Sequence, residues 1–199
     1  MTMAYHHGDL PAALLSAVGM IVNEEGIDSL TLRGAARRAG VSHGAPVHHF
    51  GDKRGLLTAF AKQAAVHLER CVLNALTPVA LEDPAGRLVA IGLGYLEYSI
   101  IHPAHFLVAN RDELLDTSDV ALISARQRVV RLVNGVFGEL VALGRLPASD
   151  REAAALAFWT LVIGLTAASD GLSTEVLAPG QRRSRAHTAL ELFAGRLTR

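Results

Sequence analysis

The sequence predicts an all-α chain of about nine helices, a small N-terminal three-helix domain followed by a larger C-terminal helical bundle. Three observations predict it. Apolar residues recur at helical spacing between short connectors that carry Gly, Pro or Asp. The stretch Thr31 to Lys53, TLRGAARRAGVSHGAPVHHFGDK, has the residues of two short helices meeting across a tight corner. The closing helices are more apolar than the exposed surface of a small domain tolerates, which implies association with a second copy. Half of the 199 residues are apolar, enough for a substantial core, and the formal net charge is zero.

The first helix is expected from Asp9, an N-cap with Pro11 in the first turn, to the stop at Glu24-Glu25-Gly26. Leu10, Leu14, Val18 and Ile21 share one face of it and, with Ile27, Leu30, Leu32, Val41, Phe50, Leu57 and Phe60, supply the core of the small domain. His6-His7 precede it, either as an arm toward phosphates or as a free end.

The corner follows. Ala36 is small enough for two helices to approach, Gly40 takes the left-handed conformation that ends the first of them, and Val41 plugs the angle. Ser42 is placed to cap the next helix by accepting from an unpaired backbone N–H. A helix-turn-helix of this kind lays its second helix in the DNA major groove.

That second helix is expected at about His43 to His49. Gly44 and Ala45 carry almost no side chain and let the backbone approach bases, while His43, Val47 and His48 project: Val47 toward a thymine methyl, the histidines toward base edges or phosphates. Adjacent histidines on a helix point about 100° apart, so His48-His49 does not chelate a metal, and none is expected. Thr31 and Arg33 are expected on phosphates, as is Lys53, which opens the next helix where free N–H groups also face outward. Between Thr31 and Lys62, six cations (Arg33, Arg37, Arg38, Lys53, Arg54, Lys62) stand against one acid, Asp52. Such an excess attracts phosphates whatever their sequence.

The fourth helix runs from Lys53 to a break near Thr77-Pro78, with Leu57, Phe60, Ala64, Leu68, Cys71 and Ala75 along one face. Asp83-Pro84 opens a fifth that stops at His102-Pro103, and a short sixth carries Phe106. A long seventh presents Val120, Ile123, Gln127, Val130, Val133, Phe137 and Leu140 as one edge. Ser149 to Glu152 reads as a capping box for the eighth, in which Gly164 and Ala168 allow close helix packing. The ninth, about 182–197, buries Ala186, Leu190, Phe193 and Leu197. Helices eight and nine are the expected dimer surface. Tyr95, Tyr98, His102, Phe106 and Trp159 are candidate contacts for a small molecule, against the plain reading of each as core, and scarce charge on the inner faces suggests that such a molecule is mostly apolar.

At Thr31, Ala36, Ala39, Gly40, Val41, Ser42, Pro46, His49, Phe50, Lys53, Leu56 and Leu57 the sequence resembles the TetR/AcrR family of bacterial transcriptional regulators, a likeness that runs from about Tyr5 to Phe60. Val47 stands where that family has a Tyr on the DNA backbone, and Ala35 replaces a branched aliphatic. HPAHFLVANRDEL and FWTLVIGL resemble a C-terminal domain of TetR-type regulators with a Trp-x-x-Val-His-Gly motif, matched by Trp159, Val162 and Gly164 but with Ile163 in place of the His. The resemblance implies residues 1–52 as DNA-binding domain and 53–199 as ligand and dimer domain. It implies a homodimeric, ligand-responsive repressor on a palindromic operator in double-stranded DNA.

Other classes find less. There is no HExxH, phosphate-cradling Gly loop, GxSxG elbow or paired acid, so neither catalytic residues nor a cofactor are expected. The uncharged run of 17 residues, 153–169, is flanked by Glu152 and Asp170 and reads as a buried helix, not a membrane span. One cysteine, Cys71, rules out an internal disulfide and fits the cytoplasm, and the N-terminus lacks the pattern of a signal peptide. Two readings compete with the regulator: an all-helical enzyme, and an interaction module whose helix-turn-helix no longer binds DNA.

Overall fold

The computed structural model describes residues 10–167 and 179–197, and every regular element among them is helical. In chain order the α-helices are α1 (Leu10–Glu25), α2 (Leu32–Ala39), α3 (Ala45–Phe50), α4 (Lys53–Leu76), α5 (Pro84–Ile101), α6 (Pro103–Ala109), α7 (Val120–Ala142), α8 (Arg151–Ala167) and α9 (Pro179–Arg196). The expected cap at Asp9, the His6-His7 arm and Ala168 lie outside the described residues.

The helices divide between two compact units, residues 10–65 with 102–125 and residues 66–101 with 126–197. The division falls inside α4 and α7. In the first unit α1 packs against α2, α3 and α6. Leu14, Val18, Ile21, Leu30, Leu56, Leu57 and Phe60 are buried together, joined by Ala104, Val108, Leu115 and Leu122 from beyond the helix-turn-helix. Each such large side chain contributes about 1.5–3 kcal/mol by leaving water.

In the second unit α5 packs against α8 and α9. Gly92 and Gly94 permit the close approaches: a Cβ at Gly94 would lie 2.8 Å from Val72 Cα, and one at Gly92 would lie 2.7 Å from the Leu190 methyls.

Two expectations are corrected here. On α7 the buried edge is Leu122, Ala125, Val129, Val133, Val136, Phe137 and Leu140, while Val120, Ile123, Gln127 and Val130 are exposed. Both stripes repeat at three- and four-residue steps, so periodicity alone leaves the facing stripe undecided in the first half of the helix. Ser149 lies within a 3₁₀ turn, Ala148–Asp150, where its hydroxyl donates to Asp150 Oδ1 at 2.8 Å. It is not at the N-cap of α8. No helix among the described residues is long and apolar enough to cross a membrane.

Candidate nucleic-acid interface

Thr31 caps α2 by accepting from the Gly34 N–H at 3.0 Å. The helix ends at Gly40, whose φ of 68° and ψ of 28° are left-handed, and the Val41 N–H reaches the Ala36 carbonyl at 3.0 Å. This is the expected glycine-ended corner.

The start of α3 differs from expectation. Its N-cap is Gly44, without a side-chain cap, and Ser42 participates through its carbonyl, which accepts from the Ala45 N–H at 3.0 Å. Ala45 and Pro46 are buried. Ala45 therefore faces the protein and does not offer its side chain to DNA: a helix of six residues packs by its first turn on α1 and α2, and small residues make that packing close. Ser42, His43, Val47, His48 and His49 are exposed, Val47 by 54%. The His48 and His49 rings meet edge to face, 5.2 Å between centroids.

Two of the six cations read from sequence are ion-paired in the fold, and a third is tied to a backbone carbonyl. Arg38 donates to Glu24 at 2.6 Å and to Glu25 at 2.7 Å, contacts that hold its guanidinium charged. Lys62 pairs with Asp119 at 2.9 Å. Arg54 donates to the Leu115 carbonyl at 2.8 Å. Arg33 and Arg37, four apart on exposed positions of α2, and the half-buried Lys53 have no acidic partner among the described residues. These three cations are left without an ion pair on this surface.

The start of α4 is also occupied. Asp52 Oδ1 accepts from the Gly55 N–H at 2.7 Å, so the chain's own carboxylate caps the helix where a phosphate was expected to share the free amides with Lys53. Gly51, with φ 77°, turns the chain between α3 and α4.

Sequence reasoning missed a brace on the other side of α4. The Thr58 hydroxyl donates to the Arg54 carbonyl at 2.8 Å and accepts from the Asp116 N–H at 2.9 Å. Together with Arg54 and Lys62 it ties α4 to residues 113–119. Lys62 and the Leu122 N–H hold the Asp119 carboxyl below the ordinary carboxylate range, and Ser118 does the same for Asp116. The signal available was the pair of acids, Asp116 and Asp119, ahead of a long helix.

The five candidate effector residues fall into different units. Tyr95, Tyr98 and Trp159 cluster in the second, with Tyr95 6.0 Å from Trp159 and 6.3 Å from Tyr98 between ring centroids. Burial pushes the Tyr98 phenol up, and Phe158 and Phe193 continue the cluster. His102 and Phe106 belong to the first unit, where the His102 and His105 rings stand 5.7 Å apart and His105 stacks on Phe60. A cavity of about 890 Å³ in the second unit is lined by none of the five.

A capped α2, a left-handed glycine and an exposed α3 define a helix-turn-helix protein. Residues 14–60 match the family described as bacterial regulatory proteins, tetR family, and residues 88–192, more than half of the chain, match the tetracyclin repressor-like C-terminal domain. The chain belongs to the tetR family of bacterial regulatory proteins. An all-helical enzyme is thereby set aside.

Among similar proteins, the HTH-type transcriptional regulator BetI of Yersinia pestis (strain Pestoides F) is 38% identical over 91 residues, 46% of each chain. The chain thus spans about half the length of the curated relatives it matches. A protein of unknown function from Rhodococcus sp. RHA1 superposes with a TM-score of 0.81 at 26% identity, covering 100% of both chains. AibR, solved in complex with isovaleryl coenzyme A and operator DNA, superposes with a TM-score of 0.69 at 17% identity, covering 90% of this chain and 97% of its own.

Proposed function

We propose that the chain is a cytoplasmic, homodimeric transcriptional regulator that binds a palindromic operator and releases it in response to a small, mostly apolar effector. The observation that carries the reading is the exposed α2–α3 corner with Arg33, Arg37 and Lys53 left to phosphates. Thr31 and Arg33 position the corner, His43, Val47 and His48 meet bases, and Ser42 and His49 flank them. Family membership supports DNA binding, and the repressor-like C-terminal domain supports repression as the outcome. AibR's complex supports a protein of this fold answering to both a ligand and an operator.

Dimerisation through α8 and α9 is supported by their exposed apolar residues. Leu156, Ile163 and Leu192 are 69%, 51% and 68% exposed, and a groove on α8 is lined by Ala153, Ala157, Leu161 and Leu165. A folded chain that exposes such a surface aggregates unless a second copy covers it. Tyr95, Tyr98 and Trp159 are the effector contacts this reading retains, with His102 and Phe106 further candidates. A ligand shifts the equilibrium only by its preference for one state, and α4 and α7, which belong to both units, are the covalent routes to the reading head.

The test is selection of bound sequences from a random DNA pool with the purified protein. A palindromic motif with half-sites about one helical turn apart is expected. No enrichment would overturn the reading in favour of an interaction module, which Val47 in place of the family's Tyr favours.

A further inference from the structure

The cavity of about 890 Å³ lies between the end of α4, the connector that follows, α5 and α9. Two contacts set the register of its walls. Gly92 faces Leu190, and Glu97 faces Arg183, so α5 and α9 run antiparallel with residue numbers falling on one as they rise on the other. Val89, Ala90 and Leu93 from α5 and Ala194 from α9 give it apolar walls. Its ionisable groups are three carboxylates, Asp83, Glu97 and Glu191, against one guanidinium, Arg183, and one imidazole, His187.

The carboxylates are weakly answered. Glu97 meets Arg183 at 3.6 Å, too far for a hydrogen bond, and Glu191 meets His187 at 3.3 Å, a partner charged only when protonated. Asp83 spends Oδ1 on the Gly86 N–H, 2.8 Å away. The register places Glu191 level with the neighbourhood of Ala90, about midway between Asp83 and Glu97. At 1.5 Å of rise per residue, the backbone positions that carry successive carboxylates are separated by roughly 10 Å along the cavity. Between them lie the apolar walls.

We propose that this cavity binds an extended aliphatic polyamine, its ammonium groups on the separated carboxylates and its methylene chain along Val89, Leu93 and Ala194. A recess with excess negative charge concentrates cations and repels carboxylates and phosphates. The spacing selects a chain that carries positive charge at two or more points about 10 Å apart, a span that a triamine reaches and a three-carbon diamine does not. The site is separate from the aromatic cluster, and it is read without DNA, so it stands independently of the regulator reading.

The experiment is calorimetric titration of the full chain at low salt with spermidine, 1,3-diaminopropane and the eight-carbon dicarboxylate suberate. Saturable spermidine binding is expected, at least about fivefold tighter than the diamine, with suberate at least about tenfold weaker than spermidine. Glu97→Gln and Glu191→Gln each weaken spermidine by about two- to fivefold, the range of half-exposed ion pairs, while Glu152→Gln on α8 changes nothing. Gly195 lines the cavity and a Cβ there meets nothing within 4 Å, so Gly195→Leu adds bulk at the wall and is expected to weaken spermidine binding. Absence of saturable binding, equal affinity for the diamine, or indifference to Glu97→Gln and Glu191→Gln would overturn the proposal. Operator affinity measured with and without spermidine is a separate reading: no change there leaves the site intact and denies it an effector role.

Discussion

Gly55→Ala probes how tight the turn between α3 and α4 is. A Cβ at Gly55 would sit 2.0 Å from the Phe50 carbonyl oxygen and 3.2 Å from its carbon. Because the clash is with backbone, no side-chain rotation relieves it: α4 or the end of α3 must move by about an ångström or more to restore an ordinary van der Waals separation. Overpacking of this kind costs about 1–3 kcal/mol, and the gain from replacing glycine within a helix offsets at most about 1 kcal/mol. Gly135 on α7 is the control, since a Cβ there meets nothing within 4 Å, and Gly135→Ala should stabilise by up to about 1 kcal/mol. Thermal unfolding followed by circular dichroism reads both, at roughly 2–4 °C per kcal/mol for a chain of this size. Operator affinity should fall further than stability alone predicts in Gly55→Ala, because Phe50 ends the helix that reads DNA. If Gly55→Ala melted as high as Gly135→Ala and bound DNA normally, the geometry of the turn would be wrong.

Gly94→Ala should destabilise by about 1–3 kcal/mol in denaturant titration because its Cβ meets the Val72 backbone, whereas Gly92→Ala, which meets only side-chain atoms of Leu190, should cost less. Equal losses would remove the distinction. Asp116 and Asp119 have carboxyls depressed in the folded state, so the stability they contribute is present above the ordinary carboxylate pKa of about 4 and is lost as pH falls through their lower folded values. Melting temperature should therefore drop on acidification below about pH 5, and Asp119→Asn should be less stable at neutral pH with a shallower acid loss; an acid loss as steep as that of the unaltered chain would contradict the pairing with Lys62. Leu156→Glu combined with Leu192→Glu should give monomers in sedimentation, and a dimer that survived both would move the interface elsewhere.

The fold was legible because its signals are local. Leu14, Val18 and Ile21 mark the inner face of α1 by spacing alone, and Gly40, needed in a left-handed conformation, marks the corner. What sequence hid depends on residues distant along the chain. Arg38 looks like a phosphate ligand until Glu24 and Glu25 of α1 are brought beside it, and Lys62 until Asp119 is. That the Ala45 methyl is buried where α3 packs on α1 and α2 is likewise invisible without the neighbouring helices. On α7 two apolar stripes compete, and only the neighbouring helices decide between Val130 and Val129. The recess between α5 and α9 left no motif, because Glu97 and Glu191 approach one groove from helices far apart in sequence.

The measurement closest to the central claim is the salt dependence of affinity for a selected operator in single alanine variants. Arg33→Ala, Arg37→Ala and Lys53→Ala should each flatten the slope of log affinity against log salt by about 0.9 for every phosphate no longer neutralised, and by about twice that in a dimer, with binding weakened alike on all sequences. Arg38→Ala and Lys62→Ala, whose charges are already engaged, should leave the slope unchanged. A slope that responded to Arg38 and Lys62 and ignored Arg33 and Arg37 would contradict the assignment of the DNA-facing surface.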